Sequence, residues 1–172
     1  MDDMPVSGFR WFSPLGISVL LFMFSGIFRI IIGVMTPVLI NTKIGTPMII
    51  MSPRADREYF REDPEKILHE NNQAKKIRTL VLTLLAGLLI TSGILTVSLA
   101  WFALRSGQVW SLLTLIIAGI CEAPLWFLFF RYYTQAGVHL SLADIPPFIW
   151  VPELLMIPAA TLAMIFFLNQ GK

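Results

Sequence analysis

Residues 15–39 read LGISVLLFMFSGIFRIIIGVMTPVL, a long apolar run in which Arg29 is the one charged side chain. A helix needs roughly 20 apolar residues to cross the hydrocarbon core of a bilayer, so this stretch predicts a transmembrane helix. An arginine inside such a helix costs about 3 kcal/mol even on lenient insertion scales. It therefore usually faces a charge partner, a cavity or a pathway.

Three further segments have the same character and predict three more transmembrane helices, at about residues 80–104, 109–130 and 147–168. The third and fourth of the four spans each contain one acid, Glu122 and Glu153 respectively. Transmembrane β-strands would instead be about 10 residues long and would alternate in polarity, which these segments do not. The expected fold class is therefore all-α, an integral membrane bundle of four transmembrane helices.

Composition agrees with this fold class. The chain has 172 residues, of which 56% are hydrophobic and 14% charged, whereas soluble domains are about 25% charged. The length fits a single membrane domain over residues 1–172 and leaves no room for a second soluble domain of ordinary size. A net charge of +2 does not favour nucleic acid as a partner, and one cysteine, Cys121, excludes an intrachain disulfide.

The one sizeable polar region, about residues 41–78, predicts a cytoplasmic helical stem between the first two spans. Asp63, Pro64 and Glu65 form a good helix start, with Asp63 as the N-cap and Pro64 at the first helical position. We expect this helix to run without a break into the second span. Residues 44–51 are apolar but too short to cross a bilayer, which indicates an interfacial strand-like or re-entrant segment.

Basic residues predict the orientation. Most Lys and Arg side chains lie in the loop at residues 41–78, and Arg131 falls on the same side of the membrane. Because cytoplasmic loops carry the excess of Lys and Arg, we expect that loop to be cytoplasmic and both termini to lie outside, in a plasma or inner membrane.

Under this topology Arg29, Glu122 and Glu153 all fall in the inner half of the bilayer. At 1.5 Å per residue, Arg29 and Glu122 lie roughly 13–14 Å from the cytoplasmic interface and Glu153 roughly 9 Å from it. Gly26 and Gly33 share a helix face with Arg29, and small residues are those on which membrane helices pack. The three charges are therefore predicted to form an intramembrane polar cluster.

Proline residues are expected to support that cluster. Pro124 follows Glu122 closely, and Pro152 and Pro158 flank Glu153. Each proline leaves the carbonyl four residues earlier without its helical donor and kinks the helix. In the second span, Thr83, Gly87, Thr91 and Ser98 form a stripe of small and hydroxylated side chains, which we interpret as a helix-packing face.

Motifs for catalysis or cofactor binding are missing from the sequence. Metal sites need clustered Cys, His or carboxylate ligands, and the two histidines, His69 and His139, stand alone. No phosphate-binding glycine loop, zinc-protease motif or nucleophile elbow occurs. His139, Ser141 and Asp144 share one loop and imitate a hydrolytic set, although such loops are frequent by chance. No catalytic residue, cofactor or metal is predicted, and a non-catalytic role is favoured over an enzyme.

Three functional hypotheses remain open. The first is a non-catalytic accessory or assembly subunit of a membrane complex, in which the charge cluster fixes helix packing. The second is a small proton- or cation-coupled carrier or channel, in which one glutamate pairs with Arg29 and the other binds a proton or cation. The third is a membrane enzyme acting on lipid near His139. Besides the lipid bilayer, the expected partners are other copies of the chain or other membrane subunits, because four spans bury little surface on their own.

Overall fold

The computed structural model describes residues 9–40 and 48–170, and every regular element in these ranges is helical. The helices are α1 (Pro14–Ile40), α2 (Pro53–Phe60), α3 (Pro64–Glu70), α4 (Asn72–Ser98), α5 (Val109–Gln135) and α6 (Pro147–Gln170). A π-helical segment, Leu99–Leu104, continues α4, and a short 3₁₀ turn, Leu142–Asp144, precedes α6.

Four of the helices in the described part of the chain are long and apolar enough to cross a membrane. They are α1, α4 with its π-helical continuation, α5 and α6. The all-helical class and the number of candidate spans are therefore confirmed. The described residues around the start of α2 pack against the α5–α6 connection, as two loops on one side of a membrane would.

Helix α1 lies between α4 and α6, and glycines let it approach α4 closely. A Cβ atom added at Gly26 would lie 2.8 Å from the carbonyl oxygen of Gly93, and one added at Gly33 would lie 2.7 Å from that of Ala86. Both distances are shorter than a side chain tolerates, so the two backbones meet only because these positions carry no side chain.

The main apolar core lies toward the end of the molecule where α1 begins. Leu15, Val19 and Phe22 of α1 are almost fully buried there against Ala159 of α6 and Leu104. The hydroxyl of Ser18 donates a 2.7 Å hydrogen bond to the carbonyl oxygen of Ala159 and so links α1 to α6 inside the core. Helix α5 packs against α6 and the π-helical segment at this end and stands apart from α4 farther along.

Three of the four residues predicted as the packing face of the second span do not pack inside the molecule, whereas the fourth, Ser98, is half-buried. Thr83, Gly87 and Thr91 are exposed, and a Cβ atom at Gly87 would meet nothing within 4 Å. Helix α4 instead packs through the opposite stripe, which contains Ala86 and Gly93. The hydroxyl of Thr91 bonds to its own helix, at the carbonyl of Gly87, so it does not need a neighbouring helix to be satisfied.

The stem differs from the predicted continuous helix. Asp63 caps α3 as predicted, its side chain accepting a hydrogen bond from the amide of Glu65. Helix α3 then ends at Glu70, and Asn71 begins α4 by accepting hydrogen bonds from the amides of Gln73 and Ala74. The asparagine breaks the helix because its short side chain competes with the backbone for these donors. The stem is therefore two helices that meet at Asn71.

The stem contains a further helix, α2, which precedes α3. Ser52 caps it, its side chain accepting from the amide of Ala55, and Pro53 follows at the first helical position. Of the predicted interfacial segment, residues 48–51 form irregular bends rather than a strand. Residues 44–47 lie outside the described residues.

Candidate functional site

Arg29 meets both glutamates of the candidate spans. Its Nη2 atom donates to Oε2 of Glu122 at 2.9 Å and to Oε1 of Glu153 at 3.2 Å. These contacts join α1 to α5 and α6, which have no other ion pair to α1 among the described residues. We refer to Arg29, Glu122 and Glu153 as the charge trio.

The charge trio contains one more acid than base. Both carboxylates contact the same guanidinium nitrogen of Arg29, so their like charges repel each other at short range. The Arg29 side chain is 10% exposed, whereas those of Glu122 and Glu153 are 32% and 27% exposed. The buried Nε of Arg29 has no hydrogen-bond partner among the described residues. The cation of the trio is therefore buried in the helix packing, whereas its two acids are partly exposed and can accept further hydrogen bonds.

A lateral cleft between α4 and α5 reaches the charge trio. Its volume is about 690 Å³, and its walls are mostly apolar, with Leu88 and Leu95 on α4 and Trp126 and Phe129 on α5. From Leu85 to Leu99 the cleft follows α4 for about 20 Å at 1.5 Å per residue, a large part of a bilayer core of roughly 30 Å. Arg29 and Glu122 line the cleft, and Glu153 does not.

A second, small cavity of about 30 Å³ lies beside the trio. Ser25, Arg29, Thr96 and Glu122 contribute polar groups to it, together with apolar neighbours such as Phe22. One water molecule needs about 10–15 Å³ of such space and two or more polar partners. The cavity is therefore large and polar enough to hold a water molecule or a hydrated proton next to Glu122.

The three prolines predicted to support the trio all lie inside helices. Pro124 is in α5, and Pro152 and Pro158 are in α6. Because proline has no amide hydrogen, each removes one hydrogen bond from its helix near a glutamate of the trio. A role for these prolines in shaping the site stays a prediction.

A separate polar region, which we call the cap, joins α2 and its flanking residues to the loop before α6. At its centre Asp56 is fully buried and accepts hydrogen bonds from the amides of Ile49, Ile50 and Met51 at 2.6, 3.0 and 3.3 Å. The hydroxyl of Tyr133 donates a fourth at 2.9 Å. This carboxylate therefore shapes the bend before α2 and fixes it to the end of α5.

Asp144 is the second buried carboxylate of the cap. Arg54 binds both of its oxygens, Nε at 3.0 Å and Nη2 in a shorter contact, and Ser52 and Ser141 donate through their hydroxyls at 2.9 and 2.6 Å. The hydrogen bond from Arg54, aided by those from Ser141 and Ser52 and opposed by burial, holds the pKa of Asp144 well below its usual range.

His139, Ser141 and Asp144, which imitate a hydrolytic set in the sequence, do not form a catalytic arrangement in these contacts. The Ser141 hydroxyl donates to Asp144, and His139 enters the network through its backbone carbonyl, which accepts from Arg54. Asp144 is occupied by Arg54 rather than by an imidazole. Val138, in the loop between α5 and α6, is buried against Met51 and Ala55 in a small apolar cluster with Tyr133.

An aromatic box around Arg105 lies at the other end of the molecule. The guanidinium carbon is 4.4 Å from the ring centre of Trp101, 5.2 Å from that of Phe9 and 5.7 Å from that of Trp11. Such cation–π contacts each contribute about 0.5–1 kcal/mol at exposed sites. They fix the start of the chain's described part to the end of the π-helical segment.

Sequence reasoning located the charge trio but missed the carboxylate networks of the cap and the Arg105 box. Trp101 and Arg105 are four residues apart, a spacing that brings side chains together on a helix and could have indicated the box. Asp56 carries no comparable signal, because its main partners are backbone amides and because Tyr133 is 77 residues away in sequence.

Comparison with known proteins adds no relationship: no protein-family model matches the chain, and neither a curated protein nor a solved structure is significantly similar to it.

Proposed function

We propose that this protein is a non-catalytic subunit of a larger membrane assembly, and that the α4–α5 cleft receives a transmembrane helix of a partner subunit. The observation that carries the proposal is the position of Glu122, a carboxylate one-third exposed on a mostly apolar cleft between two candidate membrane spans. Hydrocarbon offers no hydrogen-bond donor to such a group, so lipid alone is a poor occupant of this surface.

Charge indicates the chemistry of the partner. The trio has one acid in excess, so a partner helix that places one basic or hydrogen-bond-donating side chain opposite Glu122 would balance it. Ser92, Thr96 and Thr114 along the cleft add small hydroxylated surfaces of the kind on which membrane helices pack.

The proposed orientation places the cap in the cytoplasm of a plasma or inner membrane, because the loop before α4 carries most of the Lys and Arg side chains. A Glu62→Cys substitution in a Cys121→Ser background tests it, since Glu62 is exposed in the stem. We expect a membrane-impermeant maleimide to label this cysteine only after the cells are permeabilised. Labelling of this cysteine in intact cells would contradict the proposed orientation and place the cap outside.

The test of the function is native mass spectrometry of the tagged protein extracted in mild detergent. We expect a stoichiometric foreign subunit with the wild type and its loss with Glu122→Gln. Glu153→Gln is the matched control, because Glu153 contacts the same nitrogen of Arg29 without lining the cleft, and we expect it to retain the subunit. Equal retention by both variants would refute a role for Glu122 in partner binding.

A second candidate function is a small proton- or cation-coupled carrier. The small polar cavity beside Glu122 favours it, because a water or proton held there would connect the carboxylate to the larger cleft. This candidate predicts a homodimer without foreign subunits and a pH-dependent flux in liposomes that Glu122→Gln abolishes. A flux unchanged by that substitution would exclude Glu122 as the coupling site.

A further inference from the structure

Two cavities meet at the junction of α1, α3 and α4, on the cap side of the molecule. One has a volume of about 320 Å³ and is lined by Glu65, Leu68 and His69 of α3 and by Asn72 and Lys75 of α4. The other, of about 330 Å³, has mostly apolar walls, including Leu82, Leu85 and Phe148. Ile40 and Arg78 line both cavities and so form the wall between them.

The position of this pair along α4 matches the edge of a bilayer. Lys75 and Arg78 lie in the first two turns of α4, and the apolar part of that helix begins at Leu80. Along α4, the cavity containing Lys75 therefore lies on the side of the stem, and the one containing Leu82 and Leu85 lies nearer the apolar spans. The second cavity is also lined by Met51, Ser52 and Asp144 of the cap. A ligand that fits both must be polar at one end and apolar at the other.

Charge selects the polar end of that ligand. Among the described residues that line the polar cavity, Lys75 and Arg78 are basic and Glu65 is the one acid. Asp56 of the cap also interacts electrostatically with Arg78. Arginine and lysine at a membrane edge bind the phosphates of anionic lipids, and pockets of about 300–1,000 Å³ suit small ligands.

The geometry points to a binding site for one anionic phospholipid, whose phosphate contacts Lys75 and Arg78 in the polar cavity while an acyl chain enters the apolar cavity past Ile40. None of the three residues of the charge trio lines either cavity of this site. It binds lipid from the same leaflet as the cap and stabilises the junction between the stem and α4.

The experiment measures lipid adducts of the purified full-length protein by native mass spectrometry. The probes are dioctanoyl phosphatidylglycerol, dioctanoyl phosphatidylcholine and inorganic phosphate at equal concentrations. We expect phosphatidylglycerol to bind in a one-to-one complex and more tightly than phosphatidylcholine. Equal affinity for the two lipids would overturn the proposal, and binding of phosphate as tight as that of the lipid would replace it with a soluble-phosphate site.

Matched variants separate a built site from general surface charge. Lys75 and Lys76 are adjacent, exposed lysines, and only Lys75 lines the cavity. We expect Lys75→Gln to weaken phosphatidylglycerol binding about fivefold and Lys76→Gln to leave it unchanged. Leu82→Trp, which fills the apolar cavity, should weaken binding of the dioctanoyl lipid without altering the response to Lys75→Gln. Equal losses with Lys75→Gln and Lys76→Gln would overturn the proposal.

Discussion

The cap and the charge trio use carboxylates in opposite ways. Asp56 accepts four hydrogen bonds and Asp144 is enclosed by Arg54, Ser52 and Ser141, so both cap carboxylates are well satisfied. Among the described residues, the donor to both Glu122 and Glu153 is the same nitrogen of Arg29, and the two carboxyl groups also interact with each other.

This difference separates acids that hold the fold from acids that remain available. A buried carboxylate with several donors is stabilised where it lies and has little capacity for a further partner. A part-exposed carboxylate that shares one donor with a second acid keeps its remaining lone pairs. The cap carboxylates therefore stabilise the fold. In the trio, Arg29 holds the helices together, and its two acids keep acceptor positions for a further hydrogen-bond donor.

The largest effect is expected from Arg29→Gln, because it leaves two carboxylates without their cation inside the candidate spans. Removal of one partner from a buried ion pair costs about 3–5 kcal/mol of the free energy of unfolding. Thermal unfolding of the purified protein in detergent measures this loss. A matched double variant, Arg29→Gln with Glu153→Gln, should recover part of it, and additive losses would contradict a shared charge network.

Asp56→Asn should have the next largest effect, since it places an amide group against three backbone donors. We expect a loss of about 2–3 kcal/mol in the free energy of unfolding and faster hydrogen exchange at the amides of residues 49–51. Tyr133→Phe, which removes one of the four hydrogen bonds, should cost about 1 kcal/mol. If Asp56→Asn left both the unfolding and the exchange unchanged, the cap would not be organised around this residue.

Substitutions at two glycines allow a close helix–helix contact, at Gly33, to be compared with an open surface, at Gly87. A Cβ atom at Gly33 would lie 2.7 Å from both the Ala86 carbonyl oxygen and Cγ1 of Ile90, so Gly33→Ala should cost about 1–3 kcal/mol of stability. Gly87→Ala meets nothing within 4 Å and should gain up to about 1 kcal/mol from its better helix propensity. Melting temperatures that change in the same direction would contradict the packing of α1 on α4 described above.

The smallest effect is a pH dependence confined to the cap. The pKa of Asp144 is depressed in the folded protein, so its contribution to stability is present above the ordinary aspartate pKa of about 3.9. That contribution is lost as the pH falls through the lower, folded-state value. The protection factors of the amides of residues 141–145, which correct for the intrinsic pH dependence of exchange, should therefore be constant from pH 7 to about pH 4 and fall below it. Asp144→Asn should remove this fall.

The membrane spans were predictable because their signal is local. Each is a run of apolar residues longer than a bilayer core requires, so neither neighbours nor tertiary contacts are needed to recognise it. The helix start at Asp63 was predictable for the same reason, because the cap residue and its partner are two positions apart. The break at Asn71 was missed because the surrounding residues of the stem favour a continuous helix.

Helix faces were harder to assign than helices. The glycines of α1 were placed on the correct packing face, whereas hydroxylated residues in α4 misled because each can satisfy its own helix backbone, as Thr91 does. The hydrogen-bond donors of each acid were also hard to predict, because they come from residues distant in sequence. Examples are Tyr133 with Asp56 and Arg54 with Asp144. No spacing in the sequence encodes these contacts.

The most direct test of whether Glu122 stabilises the fold or remains available to a partner is the melting temperature of Glu122→Gln. It is measured beside those of the wild type and of Arg29→Gln. If Glu122 is the excess acid of the trio, its neutral variant leaves Arg29 paired with Glu153 and melts at or above the wild-type temperature. If Glu122→Gln unfolds as early as Arg29→Gln, the carboxylate holds the fold, and its proposed availability to a partner is wrong.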